Sequence, residues 1–393
     1  MSWQRVCLGE YIDLISGPAF KSARFTDNPD DIPLVKGDNL AQGYISWEKS
    51  KYWPKEDAES YSKYWLNEGD VILAMDRPWV TAGLKYSWIK PHDPRAFVVQ
   101  RVARMRGRSG LLSEYLRYIV GSKHFSDYIK NIMGGTNVPH ISPKQIGTYE
   151  VALPPEKSQL EIVKVLSNYD DLIENNKRRI ALLEESARQL YKEWFVRFRF
   201  PGHEHVKIVD GVPEGWKKMT LGDVAVNYDR RRVPLSVMER EKRLGPFPYY
   251  GAAGILGYVD EFIFNGRYLL MGEDGTVQTK GGTPLLQLVE GKFWVSNHAH
   301  VLEGKKVSTE FLNIALSNYQ IAGHITGVAQ PKINQKNMNR IPILVASNLV
   351  MHSFQDVITP IFEQVFRLKT EINLLEKARD LLLPKLMSGE LAV

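Results

Sequence analysis

The sequence has only one cysteine and lacks a long apolar run, and each of these two features excludes certain classes of protein. Cys7 alone cannot build a disulfide framework or a cysteine-ligated zinc site, and a single thiol fits a reducing compartment. Residues 1–14 lack the basic and then apolar pattern of a signal peptide, and no stretch of about 18 uncharged apolar residues occurs. We therefore expect a cytoplasmic protein that does not enter a membrane.

Motifs of catalysis are also missing. The sequence has no phosphate-binding loop of the form GxxxxGK[ST] and no HExxH zinc motif, and His298 and His300 alternate without an evident third ligand. Adenine methyltransferases hold a flipped base with a motif of the Asn-Pro-Pro-Tyr type, whereas residues 28–31 read NPDD. The chain is therefore expected to carry no catalytic centre, cofactor or metal of its own.

Length and charge narrow the possibilities further. The 393 residues, 44% hydrophobic and 24% charged, predict two or three globular domains. Lys and Arg exceed Asp and Glu by 51 − 45 = 6, a weak hint of a polyanionic partner. Residues 1–150 (20 − 17 = 3) and residues 201–350 (17 − 14 = 3) share this excess equally. Two DNA-binding heads would give this distribution, and so would two ordinary protein surfaces.

The chain repeats itself. Residues 3–10 (WQRVCLGE) resemble residues 216–223 (WKKMTLGD), an offset of 213. Residues 135–144 resemble residues 327–336, and IALLE at 180–184 resembles INLLE at 372–376, both with an offset of 192. Three blocks in the same order indicate an internal duplication whose second copy is 21 residues shorter (213 − 192).

A long helix is predicted after each copy. Mostly apolar residues recur at alternating steps of three and four, the period of a helix that packs lengthwise on another helix. The first seam comprises Leu166, Tyr169, Ile173, Asn176, Ile180, Leu183, Ala187, Leu190 and Trp194. The second comprises Ile358, Ile361, Val365, Leu368, Ile372, Leu375, Arg379, Leu382 and Leu386.

Details of these helices carry further expectations. The residue before a proline disfavours helical dihedrals, so Pro384 is expected to end the second helix near Leu383 and to leave Leu386 outside it. Asn176 either fixes the register of the seam or is solvated. The alternative to a helix pair is two unrelated amphipathic helices, each covering its own domain.

The remaining segments are of mixed α/β class. Short apolar or β-branched runs predict strands in residues 69–75, 97–102, 268–271 and 285–289, and residues 114–120 and 310–316 predict short helices in matching places. Breaker-rich residues 200–215 predict a linker. The predicted domains are 1–152 and 200–346, and the long helices occupy 153–199 and 347–393.

Basic and polar side chains near predicted turns are candidates for DNA contact. Three alternating arginines at 104, 106 and 108 would form a basic ridge for phosphates, or protect a solvated strand edge. Three consecutive arginines at 230–232 would clamp phosphates. An asparagine in the loop at 134–140 suits an adenine edge. The alternative for this loop is a structural turn. In the first copy the candidates are Lys21, Lys36, Asn39, Arg77, Arg104, Arg106, Arg108, Thr136, Asn137 and His140. In the second they are Arg230, Arg231, Arg232, Tyr250, Thr276, Lys280, Asn297, His298, Gln330 and Lys332.

The order of these features resembles the specificity subunits of type I restriction–modification enzymes. The resemblance covers nearly the whole chain. It rests on AFKS at 19–22, VKGDNL at 35–40, LPP at 153–155, WFVRF at 194–198, PEGW at 213–216 and LPKLM at 383–387. Residues 156–159 read EKSQ where the family usually has Glu-Gln, a departure at the predicted start of the long helix.

The resemblance implies two α/β target recognition domains separated by a pair of long antiparallel coiled-coil-like helices. It implies a non-catalytic subunit that reads double-stranded DNA, with one half of a split, asymmetric site per domain. The helices are implied to carry methylation subunits, two in number, and the complex to include restriction subunits where these exist. S-adenosylmethionine and ATP are implied on those partners and not on this chain.

Helix length adds a mechanical expectation. Leu166 to Trp194 is 29 residues, about 43 Å of helix or about 13 base pairs. One helical turn inserted after Leu183 is therefore expected to change the spacer of the DNA site and not its half-sites. Two alternatives stay open from the sequence: a self-contained nuclease or methyltransferase with unrecognised chemistry, and a two-headed adaptor that binds protein.

Overall fold

A computed structural model gives the fold, and the structure describes residues 3–80, 83–132, 140–327 and 330–392. The chain divides into two compact units. The first unit joins Met1–Ile173 with Asn373–Val393, and the second unit is Glu174–Ile372. Each unit therefore contains one copy of the repeat and a segment of both long helices.

The first unit mixes short strands with helices. Its strands are β1 (Gln4–Cys7), β2 (Ile12–Ser16), β3 (Ile32–Val35), β4 (Tyr52–Trp53), β5 (Val71–Ala74), β6 (Trp79–Val80), β7 (Gly83–Leu84), β8 (Tyr86–Trp88), β9 (Phe97–Val98), β10 (Val102–Gly107) and β11 (Glu150–Leu153). Its α-helices are α1 (Ser113–Gly121), α2 (Lys123–Ile132), α3 (Pro143–Gly147) and the first part of α4 (Glu156–Tyr191), and the last part of the second long helix also belongs to this unit.

A central antiparallel sheet in the order β2-β10-β5-β8 organises the first unit. The inner strand β5 reads VILA and is buried along its whole length, because both of its edges are paired and both of its faces are covered. The core joins this sheet to α1 and to both long helices, with Met105 and Ile119 in one cluster with Leu166, Leu383 and Leu386.

The second unit repeats this plan. Its strands are β12 (Ile208–Val209), β13 (Val212–Pro213), β14 (Lys217–Thr220), β15 (Ala225–Asn227), β16 (Phe247–Gly251), β17 (Gly254–Val259), β18 (Phe264–Gly272), β19 (Leu286–Val295), β20 (Ala299–Gly304) and β21 (Pro342–Val345). Its α-helices are the last part of α4, then α5 (Leu221–Val224), α6 (Val237–Lys242), α7 (Thr309–Ser317), α8 (Gln335–Asn339) and the first part of α9 (Asn348–Ser388). The central sheet has the order β15-β20-β18-β19-β16-β17, and its core joins Leu269 and Phe311 to Tyr191, Phe354 and Ile358 of the long helices.

The secondary structure confirms the duplication. Adding 213 to the bounds of β1 gives those of β14, and adding 192 to those of α3 and β11 gives those of α8 and β21. The strands β2-β10-β5-β8 and β15-β20-β18-β19 have the same order and the same antiparallel senses.

Five of the six predicted short elements are confirmed with shifted bounds. Residues 69–75 contain β5, residues 268–271 lie within β18, and the two predicted short helices lie within α1 and α7. Residues 285–289 fall at the start of β19, which continues to Val295. The prediction of one strand at 97–102 is wrong, because the backbone turns at Arg101, with a φ of 66°, and separates β9 from β10.

The first long helix begins directly after the double proline. Residues 156–159, EKSQ, which differ from the usual family pattern, form the first turn of α4. The buried side chain of Gln159 accepts a hydrogen bond from the backbone N–H of Leu112 at 2.9 Å. The same side chain donates to the carbonyls of Gly110 and Pro154. At its other end α4 passes into a π-helical turn, Lys192–Val196, and both aromatic residues of this turn are buried.

The second long helix corrects the prediction made from Pro384. Helix α9 continues through this proline to Ser388, so Leu386 lies inside the helix. Leu383 and Leu386 are only 8% and 1% exposed in the first-unit core. Burying two leucines is worth about 3–6 kcal/mol, which offsets the roughly 3 kcal/mol that an interior proline costs.

The predicted seams lie on the inner faces of the helices. The seam positions are buried or half-buried, whereas four leucines between them are 47–71% exposed, namely Leu172, Leu182, Leu374 and Leu381. Asn176 is buried at 3% exposure, so the alternative that it is solvated is wrong. Phe354, Phe362 and Phe366 lie off the seam and pack in the second-unit core, so α9 also covers a globular core.

Within each unit the two helix segments run antiparallel. In the first unit Asp170 meets Arg379 at 2.9 Å, while the earlier Leu166 shares a cluster with the later Leu383. In the second unit the corresponding pairs are Glu184 with Lys369, at 3.6 Å, and the ring of Tyr191 with that of Phe354. Neither long helix, nor any shorter one in the described ranges, combines the length and the apolarity of a membrane span.

Candidate nucleic-acid interface

Each unit joins three segments at the end of its central strand, an arrangement that we call the strand-end junction. In the first unit the backbone N–H of Met75 donates to the carbonyl of Arg101, and the N–H of Ile141 donates to the carbonyl of Met75, both at 2.8 Å. These bonds bring together the turn after β5, the turn before β10 and the residues before α3.

The second unit has the same junction. The N–H of Glu273 donates to the carbonyl of His298, and the N–H of Ile333 donates to the carbonyl of Glu273, again at 2.8 Å. The three segments follow β18, precede β20 and precede α8, so the residues of the two junctions correspond one to one.

An aspartate follows the central strand in both junctions. Asp76 forms an ion pair with Arg101 at 2.9 Å and is hydrogen-bonded to Nδ1 of His140, and Asp274 is hydrogen-bonded to Nδ1 of His298. Both carboxylates are about one-fifth exposed, so they hold basic side chains at the surface of each unit. Asp76, Asp274 and Arg101 were not among the residues predicted to contact DNA, although an aspartate at matching positions behind two corresponding strands was a usable signal.

A cleft of about 510 Å³ opens beside the first junction. Phe20 and Phe25 contribute aromatic surface to its lining, and Lys36, Arg77 and Arg101 contribute three cations. The ammonium group of Lys36 lies 5.3 Å from the centre of the Phe25 ring. Cations and an aromatic surface in one cleft suit the phosphates and the base edges of DNA.

The predicted contacts of the first copy divide into two groups. Lys21 and Arg77 are exposed, Lys36 lines the cleft, and His140 belongs to the junction. Thr136 and Asn137 lie outside the described residues. The other candidates of this copy are Asn39 and the three alternating arginines, and most of them form hydrogen bonds or ion pairs inside the unit.

The expected ridge of alternating arginines is not a row of free guanidinium groups. Arg104 is 4% exposed and pairs with Asp13 at 2.5 Å, and burial lowers its pKa. Arg106 is hydrogen-bonded to Asp70, which raises the pKa of Arg106. Only Arg108, beyond the end of β10, is exposed. The reason is that β10 is an inner strand, and carboxylates from the neighbouring segments reach its side chains.

Two polar candidates belong to the interior. Asn39 is 2% exposed, and its amide group accepts from the N–H of Lys36 and donates to the carbonyl of Leu34, which fixes the turn after β3. The ring of Tyr250 packs edge-on against Phe293 at 5.7 Å between centres, and burial raises the pKa of Tyr250. Both side chains therefore have structural partners.

The three consecutive arginines of the second copy take three different places. Arg230 is exposed. The guanidinium group of Arg231 lies 4.8 Å from the centre of the Phe264 ring. Arg232 is only 13% exposed and donates to Glu273 at 2.7 Å, so the expectation of three flexible clamps is wrong for this residue.

Arg232 belongs to a buried ion network behind the second junction. His300 is 1% exposed and bonds Asp229 through Nδ1 at 2.6 Å and the carbonyl of Ile333 through Nε2 at 2.8 Å. Both ring nitrogens of this buried imidazole therefore face hydrogen-bond acceptors. Although burial opposes it, the hydrogen bond from His300 holds the pKa of Asp229 below its usual value. Ligand atoms of Asp229, Glu273 and His300 lie within 4.8 Å of one another, but the Arg232 guanidinium already supplies the cation beside these carboxylates.

The remaining candidates of the second copy are exposed around its junction. Lys332 reaches Glu273 at 3.5 Å and lies on the segment before α8. The turns that meet at this junction therefore offer hydroxyl, amide, imidazole and ammonium groups to a partner. These groups belong to Thr276, Lys280, Asn297, His298, Gln330 and Lys332.

A duplicated α/β chain with a polar, basic junction in each copy and two long helices defines a class of DNA-specificity proteins. A family model described as the type I restriction modification DNA specificity domain matches residues 1–185 and 213–378. The chain belongs to this family.

Comparisons with individual proteins agree. The MjaIX specificity subunit of Methanocaldococcus jannaschii is 28% identical over 305 residues, which is 73% of this chain and 71% of that protein. The EcoAI specificity subunit of Escherichia coli is 31% identical over 192 residues, 48% of this chain and 31% of that protein. The crystal structure of an S subunit from M. genitalium, 17% identical, matches 98% of this chain and 96% of that chain with a TM-score of 0.55, which shows a common fold.

Proposed function

We propose that this chain is the DNA-specificity subunit of a type I restriction–modification complex, with each copy reading one half of a split, asymmetric site. The observation that carries the proposal is the duplicated strand-end junction, which presents basic side chains at the same place in both units. Family membership supports a non-catalytic subunit over a self-contained DNA-modifying enzyme.

The differences between the two junctions support an asymmetric site. The first junction offers Arg101 and His140 beside Asp76, and the second offers His298 beside Asp274. Base edges in the major groove are distinguished by their patterns of donors and acceptors, so different side chains read different bases. Exposed cations such as Lys21, Arg230 and Lys280 are proposed to contact phosphates, which position the protein without reading sequence.

The long helices are proposed to set the spacing between half-sites and to carry partner subunits. Their outer faces expose leucines at 47–71%, which suits a protein partner better than solvent. The partners are proposed to be two methylation subunits with S-adenosylmethionine and, where present, restriction subunits with ATP. We place this assembly in the cytoplasm.

Selection from random DNA tests the proposal. The full chain is incubated with a pool of random duplexes, and the bound fraction is sequenced. The expected result is a motif with two specified parts, of different sequence, separated by an unspecified spacer of fixed length. A motif in one continuous block, or two identical halves, contradicts the proposal.

The alternative of a protein-binding adaptor makes a different prediction about salt. Lysine and arginine contacts to phosphates release counterions, so DNA affinity should fall by orders of magnitude between about 50 and 200 mM salt. An adaptor with no DNA role would show no measurable affinity for a random duplex at the lower salt concentration.

A further inference from the structure

The turn after the central strand has a left-handed backbone in both units. In the second unit this position is Gly275, with a φ of 73°, and in the first unit the corresponding residue is Arg77, with a φ of 44°. Glycine adopts this conformation freely, whereas an L side chain is disfavoured there. The first copy therefore has an arginine at a position where the fold itself favours glycine.

The side chain of Arg77 has no structural task that accounts for this choice. It is exposed, and among the described residues no hydrogen bond, ion pair or ring contact reaches it. The neighbouring carboxylate of Asp76 is already engaged by Arg101 and His140. Contacts with the described residues of the unit therefore do not explain why the disfavoured residue is present.

The surroundings of Arg77 hold its backbone in place and direct it toward the cleft. On one side Met75 makes both junction hydrogen bonds, and on the other side the ring of Pro78 fixes its own φ. Arg77 lines the cleft together with Lys36 and Arg101. The guanidinium group therefore extends from an anchored turn, which suits a contact that requires a defined direction.

We propose that Arg77 is a specificity-determining residue of the first half-site and reads a guanine through a bidentate contact. The proposal rests on the proposed DNA-specificity function. The guanidinium group presents two parallel N–H donors that match O6 and N7 of guanine in the major groove. A phosphate contact would not require this position, because exposed Lys21 already supplies a flexible cation in the same unit. Gly275 has no side chain, so the second half-site lacks the equivalent contact.

Arg77→Gly is a favourable test variant because it introduces the residue that the second copy already has at this position. The wild-type motif is first obtained by selection with the full chain. Affinities of the wild type and of Arg77→Gly are then measured on duplexes that vary each base of the first half-site. Arg77→Lys tests the bidentate geometry, and Lys21→Ala serves as a matched exposed-cation control.

The variants separate base reading from phosphate contact. Arg77→Gly should abolish a preference of about tenfold to a hundredfold for guanine at one position. Arg77→Lys should weaken that preference, because an ammonium group lacks the planar fork of a guanidinium group. Both variants should leave the second half-site unchanged. Lys21→Ala should weaken binding evenly across sequences. The thermal midpoint of Arg77→Gly should stay within a few degrees of the wild type.

Three results would overturn the proposal. They are an intact base preference in Arg77→Gly, an equal loss of affinity for all sequences, and a clearly lower thermal midpoint, which would assign the side chain to the fold. A wild type that selects no split motif would instead refute the DNA-specificity function on which this inference rests.

Discussion

At the residue scale, the role of each arginine depends on carboxylates that come from distant parts of the chain. Arg106 and Arg108 are two positions apart, yet Arg106 is bound by Asp70 while Arg108 is exposed. Because successive side chains of a strand point to opposite faces, residues two positions apart are predicted to share a face. This alternation does not predict which carboxylate lies beside them, because Asp70 is 36 residues from Arg106 along the chain.

Arg106→Ala should lower the free energy of unfolding of the first unit by about 2–4 kcal/mol, because it leaves the carboxylate of Asp70 buried without its cation. Arg108→Ala, the matched control, should change it by less than about 0.5 kcal/mol. Urea unfolding followed by tryptophan fluorescence measures both. Unchanged stability in Arg106→Ala with a large loss of DNA affinity would favour the phosphate-contact role instead.

At the element scale, the period of the long helices was predictable and the end of the second was not. Alternating steps of three and four identify the inner faces of α4 and α9 without any structure, because a helix repeats nearly every 3.5 residues. The local preference against a helix before Pro384 is overridden by burial of Leu383 and Leu386. That burial depends on the first-unit core, which is formed mostly by residues more than 200 positions earlier.

Pro384→Ala should stabilise α9, because an interior proline lacks a hydrogen-bond donor and clashes with the preceding turn. The expected gain in the free energy of unfolding is about 1–3 kcal/mol. Lys385→Ala, at the exposed next position, should be nearly neutral. Equal stability of Pro384→Ala and the wild type in urea unfolding would mean that the helix ends at the proline.

At the scale of the whole molecule, the duplication was the most informative feature of the sequence. Offsets of 213 and 192 place β1, α3 and β11 onto their counterparts in the second copy. The junction itself could not be predicted, because it joins segments separated by 26 and 40 residues (101 − 75 and 141 − 101) through backbone hydrogen bonds. The aspartates of the two junctions can be found in the sequence, because they lie at the ends of matching strands in the two copies. The contacts that these aspartates make can be found only in the folded structure.

We propose that the paired helices set the spacing between the two half-sites of the DNA, and a matched change in helix length tests this proposal. Glu184 and Lys369 face each other, so a repeat of residues 177–183 inserted after Leu183 can be matched by a repeat of residues 363–369 inserted after Lys369. Each insertion adds one seven-residue period and about 10 Å of helix, or about 3 base pairs of DNA. Seven flexible residues inserted after Asp210, in the turn between β12 and β13, serve as the control.

Selection from random duplexes by the full chain gives the decisive measurement. The helix variant is expected to recover the same two half-sites with a spacer longer by about 3 base pairs. The control variant is expected to recover the wild-type motif. An unchanged spacer in the helix variant, or altered half-sites, would contradict the proposal that the paired helices set the spacing.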